Sequence, residues 1–358
     1  MTEPLVIDGS HGEGGGQILR SAAKLSTMFG RPVRIENIRA GRRNPGLAAQ
    51  HVTSIRAAAA ICGAVVEGDE LGSRTLTFIP QHPVRAGRYE FDVAAARLGG
   101  SAGAASLVMQ TVLLPLAMAD GESQVTVHGG THMAWSPPFD YLRDVWLPAL
   151  RPLGVAAELE LKAWGWFPIG KGCIRATIQG AGQCLFKHRN FVERGELVEV
   201  TGRAVAANLP AHIAQRMADR ARALLEETGA PIRIVPERVR AACAGAGIFL
   251  AARYEKLDCG FSALGARGKP SEEVAEEAAK LLLAHQSAGA ALDEHLGDQI
   301  LVPLAVADGP SRYTVERVSR HLETNAWLIE RFGFADIGID RRSDGTGLIT
   351  VTPSPQGR

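Results

Sequence analysis

"LLPLAMADGESQVTV" (113–127) and "LVPLAVADGPSRYTV" (301–315) are near-copies of one another. Each reads as the end of an apolar helix, an Asp-Gly turn and then an alternating strand, because the apolar period changes across the turn. A fainter copy is "AAKLSTMFGRPVRIENI" (22–38), with Gly30 as the helix stop. Each copy is followed by a second helical pattern, at 45–62, 138–153 and 322–332, and then by strands near 64–79, 155–178 and 336–352. The unit is helix–strand–helix–strand–strand, seen three times. Such repetition implies an α/β architecture in which each sheet is covered by its own two helices.

The spacing of the copies locates an interruption. Equivalent helix ends fall near Met28, Ala117 and Ala305, so the second gap exceeds the first by about 99 residues. An inserted small α/β domain is therefore expected at 186–286, dividing the repeat domain into 1–185 and 287–358. Inside it, strands are expected at 197–206, 232–235, 248–254 and 260–264, and helices at 211–228 and 272–285. Few of its polar residues suggest chemistry, and it reads as accessory.

Composition narrows the function classes. With 358 residues the chain has room for two domains, and a net charge of +1 gives no global basic field to advertise nucleic acid. A local basic patch remains compatible with that balance. The cysteines, Cys62, Cys173, Cys184, Cys243 and Cys259, are odd in number and form no C-x-x-C pair. That argues for a reducing compartment and against a disulfide frame or zinc knuckle. There is no basic-then-apolar leader, and the longest apolar stretch (102–119) carries Gln110 and reads as a buried helix. A cytoplasmic protein with no membrane partner is expected.

The chemistry concentrates in loops. "DGSHGEGGGQILRS" (8–21) places Glu13 among five glycines, between a short strand and a helix that carries Arg20. One or two glycines suffice for a turn, whereas five suggest backbone N–H groups brought close to an anion at a helix start. The motif is neither G-K-[ST] nor G-x-G-x-x-G. A carboxylate among such amides fits a divalent metal joining Glu13 to phosphate, with a plain structural turn as the alternative. In "IRAGRRNPGLAAQH" (38–51), Arg39, Arg42 and Arg43 precede a helix that Pro45 can open, with Gln50 and His51 inside it. Guanidinium groups bind phosphate bidentately, and beside a phosphate-suited glycine loop an RNA or nucleotide phosphate is favoured over a solvated arginine cluster.

A second glycine loop, "RLGGSAGAASLVMQ" (97–110), again opens a helix and ends at Gln110. "GGTHMAWSPPFDY" (129–141) adds a Pro137-Pro138 corner suited to a wall against a flat base, or to a plain helix start. In the third repeat, "DEHLGDQ" (293–299) takes the place of the glycine loops and puts His295, Asp298 and Gln299 at a helix start. "VSRHLETN" (318–325) places His321 just past a strand at a helix entry.

Taken together and in this order, "GEGGGQILRSA", "IRAGRRNPGLAAQH", "GGSAGAASLVMQT", "HLGDQ" and "RHLETN" closely resemble RNA 3′-terminal phosphate cyclases, over essentially the whole chain. The resemblance implies a large domain of three repeats with a thioredoxin-like insert. It implies ATP-dependent conversion of an RNA 3′-phosphate into a 2′,3′-cyclic phosphate, with Mg2+ or Mn2+. By the same resemblance, His321 matches the nucleophile that forms a covalent histidine–AMP. Gln110, Pro137, His295, Leu296, Gly297, Asp298 and Gln299 match the nucleotide site. Glu13, Arg20, Arg39, Arg42, Gln50 and His51 match the active-site loop and RNA-phosphate side, with Glu13 at the metal. Two departures stand out: His295 replaces a tyrosine of some members, and His132 an aspartate of several. The first bears on adenine contacts and the second on the metal or phosphate environment. Noncatalytic relatives in ribosome assembly are expected to lack the histidine at 321, and enolpyruvyl transferases share a repeated α/β architecture.

Overall fold

The computed structural model describes residues 3–96, 101–182 and 186–355. The first repeat runs β1 (Leu5–Asp8), α1 (Gly16–Phe29), β2 (Val33–Glu36), α2 (Ala49–Cys62), β3 (Val65–Glu67), β4 (Leu76–Ile79). The second runs β5 (Arg88–Asp92), α3 (Ala105–Ala117), β6 (Asp120–Gly129), a broken helical stretch, β7 (Ala156–Ala163), β8 (Gly172–Ala181). In that stretch α4 (Phe139–Tyr141) and α5 (Leu147–Leu150) flank a π-helical turn, Leu142–Trp146. The sheets are ordered β1-β2-β4-β3 and β5-β6-β8-β7, so the two repeats share one topology. Each opens with a leading strand parallel to the next, β1 to β2 and β5 to β6. The repeated unit is therefore one strand longer than helix–strand–helix–strand–strand. In the second copy Asp120 and Gly121 already belong to β6 rather than to a separate turn.

The third repeat shows how the insertion is accommodated. Its sheet is β13 (Ser311–Val315), β15 (Gly347–Pro353), β14 (Ala335–Arg341), in the order β13-β15-β14. The place of the leading strand is taken by two short pieces of chain. Phe191 pairs in parallel with Tyr313, its N–H donating to Arg312 O (2.8 Å) and its carbonyl accepting from Thr314 N (3.0 Å). Leu292 pairs with Val315 in the same way. Between them lie β9 (Leu197–Ala207), α6 (Ala211–Leu225), β10 (Ile232–Val239), β11 (Gly245–Tyr254), β12 (Asp258–Leu264) and α7 (Ser271–Ala288). Their sheet is ordered β10-β9-β11-β12, with β9 and β10 parallel and β11 antiparallel to both neighbours.

One apolar core joins all three repeats, with α1 packed against α2, α3 and α10 (Arg320–Phe332). A second core lies between the β9–β12 sheet and helices α6 and α7. Helix ends follow local chemistry: Ser319 Oγ caps α10 at Leu322 N, and Gly30, Gly63 and Gly333 end α1, α2 and α10 in the left-handed conformation. Helix α2 begins at Ala49, not at Pro45. Residues 46 and 47 are committed elsewhere, Gly46 N–H donating to Ile38 O (2.9 Å) and Leu47 N–H to Ser73 O (3.0 Å).

The short helix α8 (Glu294–Gln299), followed by α9 (Leu301–Ala305), hangs on the side chain of Asp293. Its Oδ1 accepts from Tyr141 OH (2.8 Å), His295 N (3.0 Å) and Leu296 N (2.9 Å), while Oδ2 accepts from Gly260 N (3.2 Å). Asp298 consequently lies near the end of this helix, not at its start. Asp293→Ala should remove a cap and strand buried donors, costing about 2–4 kcal/mol. The check is a lower urea midpoint, with Asp293→Asn, which keeps one acceptor, less affected. A midpoint unchanged in both variants would show that the carboxylate is not holding these elements.

Candidate active site

Four segments converge on the imidazole of His321: the loop before α1, α1 itself, α8 and α10. His321 is the second residue of α10, and its side chain is half-exposed. Its Nδ1 faces two oxygens, Gln17 Oε1 in contact and Glu13 Oε2 at 3.3 Å. Glu13 can only accept, so the proton sits on Nδ1 and the lone pair is left on Nε2. Burial first, then the charges of Arg20 and His295, push His321 down to about 4, against the pull of Glu294. The other oxygen of Glu13, Oε1, is paired with Arg42. At neutral pH the imidazole is uncharged, with one nitrogen held in place.

The glycines are explained by what surrounds them. A Cβ on Gly15 would lie 2.3 Å from Glu13 Oε2, and one on Gly16 would lie 2.1 Å from His51 Nε2. Gly12, at φ 60°, packs on Thr324 one turn along α10, and Glu13 N–H donates to Thr324 Oγ1 (3.2 Å). The loop is thus seated on the helix that carries His321, and side chains are excluded where Glu13 and His51 need room.

The arginines and polar residues of the first repeat form the other wall. Arg42 also donates to Glu13 O (3.2 Å), and Arg39, at φ 54°, donates to Gly46 O (2.8 Å). His51 is buried and its Nδ1 accepts from Ala48 N (3.0 Å), which puts the N–H on Nε2, in the space over Gly16. Burial, aided by Arg20 and Arg39, holds His51 well below the usual histidine range. It is an uncharged imidazole whose Nδ1 lone pair is already engaged. Gln50 Oε1 accepts from Ala104 N (3.1 Å), tying α2 to the second glycine loop. The first four residues of that loop, 97–100, lie outside the described residues.

The nucleotide-side candidates divide into two groups. Gln110 Nε2 donates to Gln299 Oε1 (2.7 Å), joining α3 to α8, and exposed His295 meets the edge of Tyr141 at 6.4 Å. Tyr141 ends α4, the element that opens just after Pro137. By contrast Leu296 is fully buried, and Gly297 packs on Val315 while its carbonyl accepts from Tyr313 OH (2.7 Å). These two hold α8 rather than present side chains. Burial raises Asp298 to about 7, partly offset by His295, Arg20 and Lys24. Burial also lowers Arg20 to about 10 and Lys24 to about 8.

His132 is engaged by its own buried neighbours. Its ring stacks against both Trp164 and Trp166, with Nε2 3.0 Å from Asp140 Oδ2 and Nδ1 2.8 Å from Thr131 Oγ1. Asp140, which burial alone would raise, is held at about 2 by His132, Arg203 and Arg143. Since Arg203 belongs to β9, this buried pair joins the second repeat to the inserted sheet. Gln17, Thr324 and Asn325 were not singled out from the sequence. Asn325 accepts from Ser21 Oγ (2.8 Å) and donates to Asp298 O (3.2 Å), so it locks α1 to α8. Gln17 shares a helical face with Arg20 and Lys24, and that spacing is the signal that could have found it.

Among the described residues no three His, Cys, Asp or Glu side chains could together hold a metal ion. A hard divalent ion held mainly by phosphate and water needs only one or two carboxylates, and Glu13 could supply one by releasing Arg42 or His321. The four described cysteines are free, and Cys184 lies outside the described residues. No helix among the described residues is long and apolar enough to cross a membrane.

Fold and site together define a repeated α/β protein that gathers arginines, glycine-loop amides and a neutral imidazole in one place. A family model described as RNA 3′-terminal phosphate cyclase matches residues 11–339. A protein named RNA 3′-terminal phosphate cyclase from Methylococcus capsulatus is 56% identical over 355 residues, covering 99% of this chain and 98% of its own. Proteins of the same name from Gloeothece citriformis (50% identity, 94% of this chain and 95% of its own) and Archaeoglobus fulgidus (44%, 91% and 94%) are also similar. The chain belongs to the RNA 3′-terminal phosphate cyclase family, which is a family of enzymes.

The depressed titration of His321 is directly measurable. In a ring-labelled sample its NMR midpoint should fall near 4, and Arg20→Gln should move it upward, toward the ordinary 6.5. Because the folded value is depressed, the associated stability is present above about 6.5 and lost as pH falls through about 4. A midpoint at or above 6.5 in the unmodified protein would contradict this electrostatic account.

Proposed function

We propose that this chain converts the 3′-terminal phosphate of RNA into a 2′,3′-cyclic phosphodiester, using ATP as the activating substrate and His321 as a covalent AMP carrier. The observation that supports this most is the state of His321: neutral, half-exposed, with Nδ1 engaged and Nε2 free, beside Arg20 and Arg42. A lysine, near ~10.4 in water, would need a much larger shift to serve as nucleophile at neutral pH.

The chemistry follows from the leaving groups. A phosphate monoester does not cyclise unaided, since oxide or hydroxide must leave. In the proposed sequence, His321 Nε2 attacks the α-phosphorus of ATP and pyrophosphate departs. An oxygen of the RNA 3′-phosphate then attacks the AMP phosphorus and releases the imidazole, giving an RNA(3′)pp(5′)A end. The neighbouring 2′-OH attacks the RNA phosphorus and expels AMP. Negative charge accumulates at each stage, which suits arginines and preorganised amides in a water-poor site.

In this reading Gln110, Pro137, His295, Asp298 and Gln299 serve the nucleotide, with Leu296 and Gly297 as the backbone of that segment. Glu13, Arg20, Arg39, Arg42, Gln50 and His51 serve the RNA phosphate. A divalent ion, Mg2+ or Mn2+, would be held by Glu13 and would supply charge neutralisation between phosphates. The inserted unit, 186–286, is accessory, and the chain works in the cytoplasm.

Incubation with α-labelled ATP should give acid-labile covalent AMP on the protein and none on His321→Ala. Undiminished labelling of that variant would move the nucleophile elsewhere. A second expectation concerns the final step. An RNA 3′-phosphate strand with a 2′-deoxy terminal sugar should accumulate as the adenylylated end, whereas the ribose strand closes and releases AMP. Cyclisation of the ribose strand without ATP would overturn the activated-phosphate mechanism.

A further inference from the structure

We infer that a ledge built from the 133–136 loop, the Phe167–Ile169 turn and the Arg240 region of the inserted sheet binds the RNA nucleotides upstream of the terminal phosphate. This rests on the cyclase reading above and extends it from the terminal phosphate to the strand behind it.

The observations start with Trp135. Its side chain is fully exposed, yet its backbone sits at φ 64°, a conformation costly for a bulky residue. A loop that holds a large aromatic ring in water against its backbone preference is a platform rather than a core element. Phe167 and Ile169 repeat the feature nearby, at 73% and 44% exposure. The two loops spring from one place: His132 pairs with Trp166, after which the chain turns through Phe167 and returns, with Gly170 N–H donating to Trp166 O (2.7 Å).

Connectivity sets the ligand. From Gln50, on the phosphate side of the site, the link runs to Ala104 N (3.1 Å), and Ala104 pairs with Gly130, just ahead of His132. A Cβ on Gly170 would lie 3.0 Å from Ala102 Cα, so the turn abuts the second glycine loop directly. On the far side, Cys243 Sγ donates to Trp166 O (3.3 Å), and Trp164 pairs with Ala241. There Arg238 and Arg240 line a hollow with Asn208. Among the described residues Arg240 and Lys171 make no ion pair, so both charges are available to an anion.

Exposed aromatic side chains and unpaired cations on connected loops suit single-stranded nucleic acid: bases stack on rings without regard to sequence, and phosphates follow the positive charge. A protein partner would account for the rings, but not for their continuity with Gln50 and the phosphate side.

The test compares 3′-phosphorylated RNA dinucleotide and octanucleotide. In the unmodified enzyme kcat/KM should be higher for the longer strand. In Trp135→Ala/Phe167→Ala the octanucleotide-to-dinucleotide ratio should fall at least about fivefold, with the loss in KM. Arg240→Ala should lower the same ratio, and less so at high salt. A ratio unchanged in the aromatic variant, with both strands still cyclised, overturns the ledge and leaves the cyclase reading standing. Loss of covalent AMP labelling in that variant would put the rings on ATP and also overturn it. Failure of the unmodified protein to cyclise either strand removes the cyclase reading and the ledge with it.

Discussion

A single buried carboxylate, Asp293, sets the relation between the parts of this molecule. It accepts from Tyr141 of the second repeat, from Gly260 of the inserted sheet and from the first two N–H groups it can reach in α8. Burial pushes its carboxyl up, and the hydrogen bonds from Leu296 and Tyr141 with the charge of His295 pull against that. An ion in such a place is stable only because every oxygen is satisfied, and losing one partner leaves others unpaired. The position of α8, and through it of Asp298 and Gln299 beside α1 and α10, follows from that arrangement.

The site itself is governed by positive charge. Arg20 lowers both His321 and His51, and it faces Asp298, whose burial would otherwise leave it unopposed. The same guanidinium therefore helps keep both imidazoles uncharged at neutral pH. Glu13 fits this scheme as a divided partner, one oxygen toward Arg42 and the other toward His321 Nδ1. Phosphate arriving in place of Glu13 at Arg42 would exchange one anion for another without leaving a buried charge unpaired.

Much of this was legible in the sequence, for identifiable reasons. The near-copies at 113–127 and 301–315 expose the repeat because each carries a helix end and a strand in one short segment. The glycine loop and His321 stand out because their residue types are costly or reactive where they occur. The leading strand β5 was missed, since Arg88–Asp92 alternates with charged residues and has no strong apolar signal. Helix α2 was started too early because Pro45 is a good helix opener, and the tertiary bonds of Gly46 and Leu47 decide otherwise. Asp293, Thr324 and Asn325 were illegible as a site: each acts across more than a hundred residues or through a buried partner, which local spacing does not encode. The surroundings of His132 were illegible for the same reason, its partners Trp164, Trp166 and Asp140 being brought together only by the fold.

The split leading edge of the third sheet has a bearing on the order of assembly. In the first two repeats the leading strand is made before the helix and strand that follow it, so pairing is local and can form early. In the third, Leu292 reaches Val315 locally, but Phe191 meets Tyr313 only after the whole inserted stretch between them has been made and folded back. Closing that edge is a long-range event, and the free side of β13 stays open to solvent until it happens. The last sheet to acquire its edge is also the one that carries His321 toward the glycine loop. A nascent chain would then be guarded from a partly built active site by its own topology, with the loop entropy of the insertion acting as the delay.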